Sequence, residues 1–247
     1  MSAPKLVELS DGLEVYASSK MELQFQYEEI FRARCYEHAG LPERPFVVDV
    51  GANVGMFGIF IKLAYPDAEL LAFEPVPETA DISRQNIELH GLVNAAVHEI
   101  AIASRPEVQS PFTFYPALPG NSTRYPAEKA PAIAALGRVF SPRIAERLYK
   151  SRDITVPVER LSAFLSADRP VDLLKVSVGG DELEVLLGID AVHWPLIRQA
   201  VLIVQDFEKR LNSVCELLRD HGFEPSAEPA PLLDEELATY RVHAIRR

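Results

Sequence analysis

The apolar positions of this chain fall into short runs whose spacing changes along its length. Leu6-Val7-Glu8-Leu9 and Leu13-Glu14-Val15-Tyr16, joined through Ser10-Asp11-Gly12, alternate around a tight turn and predict a small hairpin. Ser18 or Ser19 then caps a helix running to about His38. Its apolar residues, Met21, Phe25, Ile30 or Phe31, and Cys35, recur at helical spacing, and Gly40-Leu41-Pro42 stops it. From Phe46 strands and helices alternate: strand 46–50, helix from about Val54 to Ala64, strand 69–73, helix 78–90, strand 95–102. Parallel strands need a long crossover between them, so this alternation predicts a doubly wound parallel sheet.

After Ser104 the rhythm breaks into a proline-rich interval, about 106–157. It holds a strand-like Phe112-Thr113-Phe114-Tyr115, the turn Pro119-Gly120-Asn121-Ser122 and a helical stretch near 140–150. Ile154–Val158 is placed to pair with the 112–115 strand. A long, aromatic, loop-rich insertion is where substrate specificity is expected. The core resumes at Val171–Val178, then strand 200–205, helix 208–221 and a last strand around Tyr240–Ile245, with Pro225–Pro231 read as a solvent loop. The expected class is α/β: a doubly wound, mostly parallel seven-stranded sheet with an N-terminal helix and an insertion after the third strand.

Composition narrows the function. At 247 residues and 48% hydrophobic the chain can bury one substantial α/β core. A net charge of −11 without a Lys/Arg run gives poor support for capturing a phosphate backbone, so nucleic acid is not the expected substrate. No segment reaches the length of a membrane span, and Met1–Glu8 lacks an apolar secretory core; the expectation is a cytoplasmic protein with no membrane partner. Cys35 and Cys215, in no Cys-x-x-Cys pair, read as reduced structural thiols. No His/Cys/Asp group has metal-ligand spacing, so no metal is expected. Oligomeric state is open.

The chemistry is concentrated where the first two core strands end. Phe46-Val47-Val48-Asp49-Val50-Gly51-Ala52-Asn53-Val54-Gly55 runs from a strand into glycines, and Glu74-Pro75 closes the next strand. A glycine turn lets backbone approach a ligand, and a carboxylate about 20 residues on accepts hydrogen bonds from two ribose hydroxyls. A nucleoside cofactor is therefore expected. Asn53 stands at the middle position of the G-x-G-x-x-G pattern and no second glycine fingerprint follows, which favours S-adenosylmethionine (SAM) over a dinucleotide. Asp49, Gly51, Asn53 and Gly55 are the candidate ligand-facing group, Asp49 for the ammonium of the SAM amino acid. Glu74 is the candidate for the ribose and Glu99, near the third strand's end, for the adenine. On this division, 1–45 form the hairpin and a helix placed as a lid, and 46–247 the SAM-binding catalytic domain.

Val47–Gly55, Phe73-Glu74-Pro75, Asn86-Ile87-Glu88-Leu89-His90-Gly91-Leu92 and Leu173-Leu174-Lys175-Val176 together resemble the FkbM family of SAM-dependent methyltransferases, over roughly Val47–Phe223. The resemblance implies a class I methyltransferase fold, with SAM across the carboxyl ends of the central strands. One segment departs from it. Where family members read Lys-Ile-Asp-Val-Glu-Gly-Ala-Glu, this chain reads Lys175-Val176-Ser177-Val178-Gly179-Gly180-Asp181-Glu182. The two acids facing the reacting centre become Ser177 and Gly179, which removes a general base and any carboxylate aid to a metal. Glu182 and Glu184 read as solvated residues of the next helix. Ser177, Asn121 in a turn the family carries as Gly-Asn-Ser, and the aromatic faces of Tyr115, Tyr125 and Tyr149 remain as candidates beside the sulfonium.

Three functions follow. The resemblance implies methyl transfer to a hydroxyl, amine or carboxyl of a small specialised metabolite. The departed motif is also similar to azetidine-2-carboxylate synthases, in which a neutral pocket would let the α-amine of SAM attack its own γ-carbon and release methylthioadenosine. The third is an inactive SAM-fold module that binds a partner.

Overall fold

The computed structural model describes residues 4–247; Met1–Ala3, part of the segment read above for a secretory leader, lie outside the described residues. The hairpin forms as expected, β1 (Lys5–Glu8) antiparallel to β2 (Glu14–Ala17). Ser19 Oγ accepts from Glu22 N and caps α1 (Lys20–Tyr27). The helix does not reach His38: it widens into a π-helical turn, Glu28–Arg32, and ends at Arg34 with φ of 50°. Such widened turns are frequent at functional sites.

The core follows in order: β3 (Phe46–Val50), α2 (Met56–Ala64), β4 (Glu69–Phe73), α3 (Pro77–Leu89) and β5 (Ala95–His98). The strand expected over 95–102 is split. After His98 the chain turns away, and β6 (Ala101–Ile102) joins a second sheet with β7 (Glu107–Phe114) and β8 (Arg152–Glu159). The expected pairing within the insertion is present, Phe112 opposite Ile154, and Phe112, Phe114, Val156 and Val76 give it a small core. Between β7 and β8 lie two helices, α4 (Ala130–Val139) and α5 (Pro142–Leu148); α4 buries none of its residues.

The main sheet is completed by β9 (Leu173–Val176), then α6 (Glu182–Leu187), β10 (Gln199–Gln205), α7 (Arg210–Asp220), β11 (Phe223–Pro229) and β12 (Thr239–Arg246). Its strand order is β11-β12-β10-β9-β3-β4-β5, parallel except where β12 runs against both neighbours. The seven-stranded, mostly parallel α/β sheet is as expected. The segment read as a solvent loop, Pro225–Pro231, is instead largely β11: an edge strand pairing on one side only, where a proline's missing N–H costs no ladder bond. The central strands β3 and β9 are buried throughout, and one apolar core lies on each face of the sheet. No helix among the described residues is long and apolar enough to cross a membrane.

Candidate functional site

The chain runs from β3 outward to β5 and then returns to the other side of β3 as β9. Open α/β sheets form a crevice at the strands' carboxyl ends where the order reverses. Here that crevice is a cavity of about 250 Å³, walled by the ends of β3, β4, β9 and β10, by α1 and by the insertion.

Its floor is the glycine turn. Gly51 has φ of +84°, and a Cβ there would overlap the carbonyl oxygen of Ser177. Two strand ends can therefore meet only if this residue is glycine. Gly51 N and Ala52 N both donate to Phe73 O, at 3.0 and 2.9 Å, which pins the turn to the end of β4. Asn53 adopts φ of 50°, and its amide N donates to Glu74 Oε2 at 3.0 Å. Val76 N donates to Glu74 Oε1, also at 3.0 Å. Burial pushes the Glu74 carboxyl up to about 7, against the pull of these two amides. A buried carboxyl so fixed, beside a turn with no side chain, fits the ribose and backbone-approach requirements of SAM.

The N-terminal helix supplies the opposite wall with Glu22, Phe25, Gln26, Glu29 and Ile30. Glu22 Oε1 accepts from Gln26 Nε2 at 3.0 Å, from Asn53 Nδ2 at 2.8 Å and from Gly120 N at 2.8 Å. One carboxyl thus joins helix, glycine turn and insertion. Burial pushes Glu22 up to about 7, and Glu29 to about 7 as well, the latter opposed by the charge of Lys175.

The insertion contributes Gly120, Asn121, Ser122, Lys129 and Ala132 to the cavity. Tyr149 donates its hydroxyl hydrogen to Asn121 Oδ1 at 3.0 Å, orienting that amide. The end of β9 contributes Ser177 and Gly179, and α6 contributes Glu182. Next to them, Asp181 is clamped by Arg124 Nε and Nη2 at 2.7 and 2.6 Å and by the Tyr125 hydroxyl at 3.0 Å.

The structure brings Gly51, Asn53, Glu74, Asn121 and Ser177 together on the cavity wall. Other candidates lie elsewhere. Asp49 is fully buried beneath the floor, with Lys175 Nζ 2.8 Å from its Oδ1, so its counter-charge is internal and it is not free to hold a ligand ammonium. Lys175 gives its aligned hydrogen bond to Gly51 O at 2.6 Å. Gly55 packs on Ser83 at the start of α2, outside the cavity lining. Glu99 is half-exposed beside Arg84, at 3.5 Å, and does not reach the cavity; Phe73, Ile100 and Ile102 form that wall instead. Tyr115 and Tyr149 pack edge to face, centroids 5.2 Å apart, behind Asn121 rather than on the lining. Asp206 accepts from Leu211 N at 3.1 Å and caps the start of α7.

Glu182, read from sequence as solvated, is 1% exposed and lines the cavity. Glu22, Glu29, Lys129 and Lys175 were not anticipated as site residues either. A usable signal existed in the helix: Glu22, Gln26 and Glu29 recur at spacings of four and three, which puts three polar side chains on one stripe beside its apolar one.

Residues 49–225 match the Methyltransferase FkbM domain family. The chain is 36% identical over 238 residues to the 31-O-demethyl-FK506 methyltransferase FkbM of Streptomyces tacrolimicus, covering 91% of this chain and 90% of that one. It is 38% identical over 240 residues to methyltransferase sdnD of Sordaria araneosa, covering 93% and 92%. Among solved structures it is similar in fold to the methyltransferase FkbM of Methylobacillus flagellatus KT, with a TM-score of 0.55 at 10% identity over 88% of this chain and 47% of that one. With its glycine turn, its strand-end carboxyl and this match, the chain belongs to the FkbM methyltransferase family and is a SAM-dependent transferase.

Proposed function

We propose that this enzyme transfers the methyl group of SAM to a hydroxyl oxygen of a small biosynthetic intermediate. The observation that carries the reading is Glu74, whose two oxygens are each fixed by a backbone amide at the cavity wall, next to a turn that only glycine can make. In that position Glu74 accepts from the ribose hydroxyls. Phe73, Ile100 and Ile102 offer an apolar wall for the adenine, and the Gly51–Asn53 backbone faces the amino-acid end. Ser177 and Asn121 then flank the point of transfer, and α1 with its π turn covers it as a lid. SAM supplies, when bound, an electrophilic methyl carbon on a sulfonium. The protein's part is in-line positioning in a site closed to water. The name of the relative acting on 31-O-demethyl-FK506 favours oxygen as the acceptor atom.

Cyclisation of SAM rests on a pocket emptied of acids at Ser177 and Gly179; Glu22, Glu29, Glu74 and Glu182 line this one, and no observation favours that chemistry. The test is incubation with SAM, alone and with a panel of hydroxylated metabolites, with nucleoside products read by mass spectrometry. S-adenosylhomocysteine formed only in the presence of an acceptor is the expected result. Methylthioadenosine and azetidine-2-carboxylate from SAM alone would replace the proposal.

A further inference from the structure

Among the buried charged side chains that line the cavity without an ion-pair partner among the described residues, two flank the end of β9: Glu182 and Lys129. Glu182 is 1% exposed, its Oε1 accepts from Gly180 N at 3.0 Å, and its Oε2 has no partner. Lys129 is 5% exposed, and Nζ has one long contact, to Gly179 O at 3.5 Å. Leaving either group unsatisfied in the interior is costly, so each points to a ligand that completes it.

The neighbouring charges are already matched. Arg210 Nη2 holds Glu128 at 2.8 and 3.0 Å, and Arg124 and the Tyr125 hydroxyl hold Asp181. The place is also the right one. Glu182 opens the helix that follows the end of β9, where Ser177 and Gly179 also line the cavity. A Cβ at Gly179 would lie 3.2 Å from Lys129 Nζ, so the ammonium occupies space that a larger residue's side chain would claim.

Resting on the methyl-transfer reading above, we propose that Glu182 is the catalytic base of the reaction and Lys129, the cation at Gly179 on the same cavity wall, the positioning residue that favours its charged form. The acceptor O–H bond breaks, its electron pair staying on oxygen; that oxygen bonds the methyl carbon; the carbon–sulfur pair passes to sulfur, leaving a neutral thioether. The proton is received by Glu182 Oε2 and then released to solvent. Burial raises the Glu182 carboxyl, which strengthens it as a base, while Arg210 and Lys129 pull the other way; burial lowers Lys129, against the charges of Glu182 and Glu128.

The test needs no identified acceptor. Sinefungin carries an ammonium where SAM carries its methyl sulfonium, and S-adenosylhomocysteine carries no charge there. Calorimetric affinities for both are compared in wild type, E182Q and K129M across neutral pH. A carboxylate at the transfer point makes wild type favour sinefungin, and E182Q should lose about tenfold of that preference while its affinity for S-adenosylhomocysteine stays within about threefold. In K129M the preference should persist, but its loss on acidification should begin at higher pH, because the cation favouring the carboxylate is gone. If E182Q does not fold, E182D serves: it should keep a weakened preference with the same pH limb. Equal sinefungin-to-homocysteine ratios in wild type and E182Q would overturn the base while leaving methyl transfer standing. No binding of S-adenosylhomocysteine by wild type would overturn both.

Discussion

Glu22 Oε1 lies 2.8 Å from Asn53 Nδ2 and also takes the Gly120 amide at 2.8 Å, so a single buried oxygen fastens the N-terminal helix to the glycine turn and to the insertion. A carboxyl of this kind makes the closure of the site sensitive to protonation.

Its folded-state value, about 7, stands above the ordinary 4.5 because of burial. A carboxyl raised in this way contributes stability that is fully present below pH 4.5 and is lost as pH rises through about 7. Glu29 and Glu74 act in the same direction. The protein should therefore melt at higher temperature near pH 5 than near pH 8. E22Q keeps an acceptor oxygen and removes the ionisation, so it should be the more stable protein at pH 8 by on the order of 1–3 kcal/mol, with little gain at pH 5. Thermal melts of both proteins across this range decide it; parallel curves would refute the assignment.

Gly51→Ala should be far more damaging than Gly91→Ala, although both glycines have positive φ. At Gly91 an added Cβ meets nothing within 4 Å, whereas at Gly51 it runs into the Ser177 backbone. The expected losses are about 1 kcal/mol for Gly91→Ala and more than about 3 kcal/mol for Gly51→Ala. Urea unfolding of the two variants measures the difference, and SAM binding should be lost in Gly51→Ala alone.

Glu74→Gln should weaken SAM by roughly 10- to 100-fold, since a charge-assisted acceptor for two ribose hydroxyls becomes a neutral amide. Wild-type affinity should fall as pH drops below about 7, where burial already favours the protonated Glu74, and the variant should lack that dependence. Titration calorimetry at two pH values is sufficient; a pH slope retained by E74Q would assign it to another group.

Lys175→Met leaves Asp49 charged, fully buried and unmatched, and should cost about 3–5 kcal/mol. Adding Asp49→Asn to Lys175→Met should restore a large part of that loss. Chemical denaturation of the two singles and the double measures the coupling, and strict additivity would mean that the pair is not a unit.

The strand–helix alternation from Phe46 to His98 was readable because parallel strands covered on both faces are written as mostly apolar runs, such as Phe46–Val48 and Leu70–Phe73. Gly51 and Glu74 were readable as neighbours on one cavity wall, because backbone geometry restricts the first to glycine and the next parallel strand ends beside it. What escaped depended on tertiary partners. Pro225 and Pro229 look like loop residues until β12 is seen to use only one edge of their strand. Glu182 looks solvated at the start of a short helix until the insertion, more than 50 positions earlier in the chain, brings Lys129 to Gly179 O and walls in the same cavity. Asp49 looks ligand-facing until Lys175, its register partner on the neighbouring β9, arrives at 2.8 Å.

The second sheet has an evolutionary consequence. Ile102 and Glu159 are register partners, and Ala103 N donates to Glu159 O at 3.0 Å, so the chain leaves the core and re-enters it at neighbouring points. Everything between them, with its own small cluster of Phe112, Phe114 and Val156, is a cassette whose two ends lie side by side. Lengthening, shortening or exchanging that cassette would change the wall that carries Asn121 and Lys129 while leaving the register of β3, β4 and β9 alone.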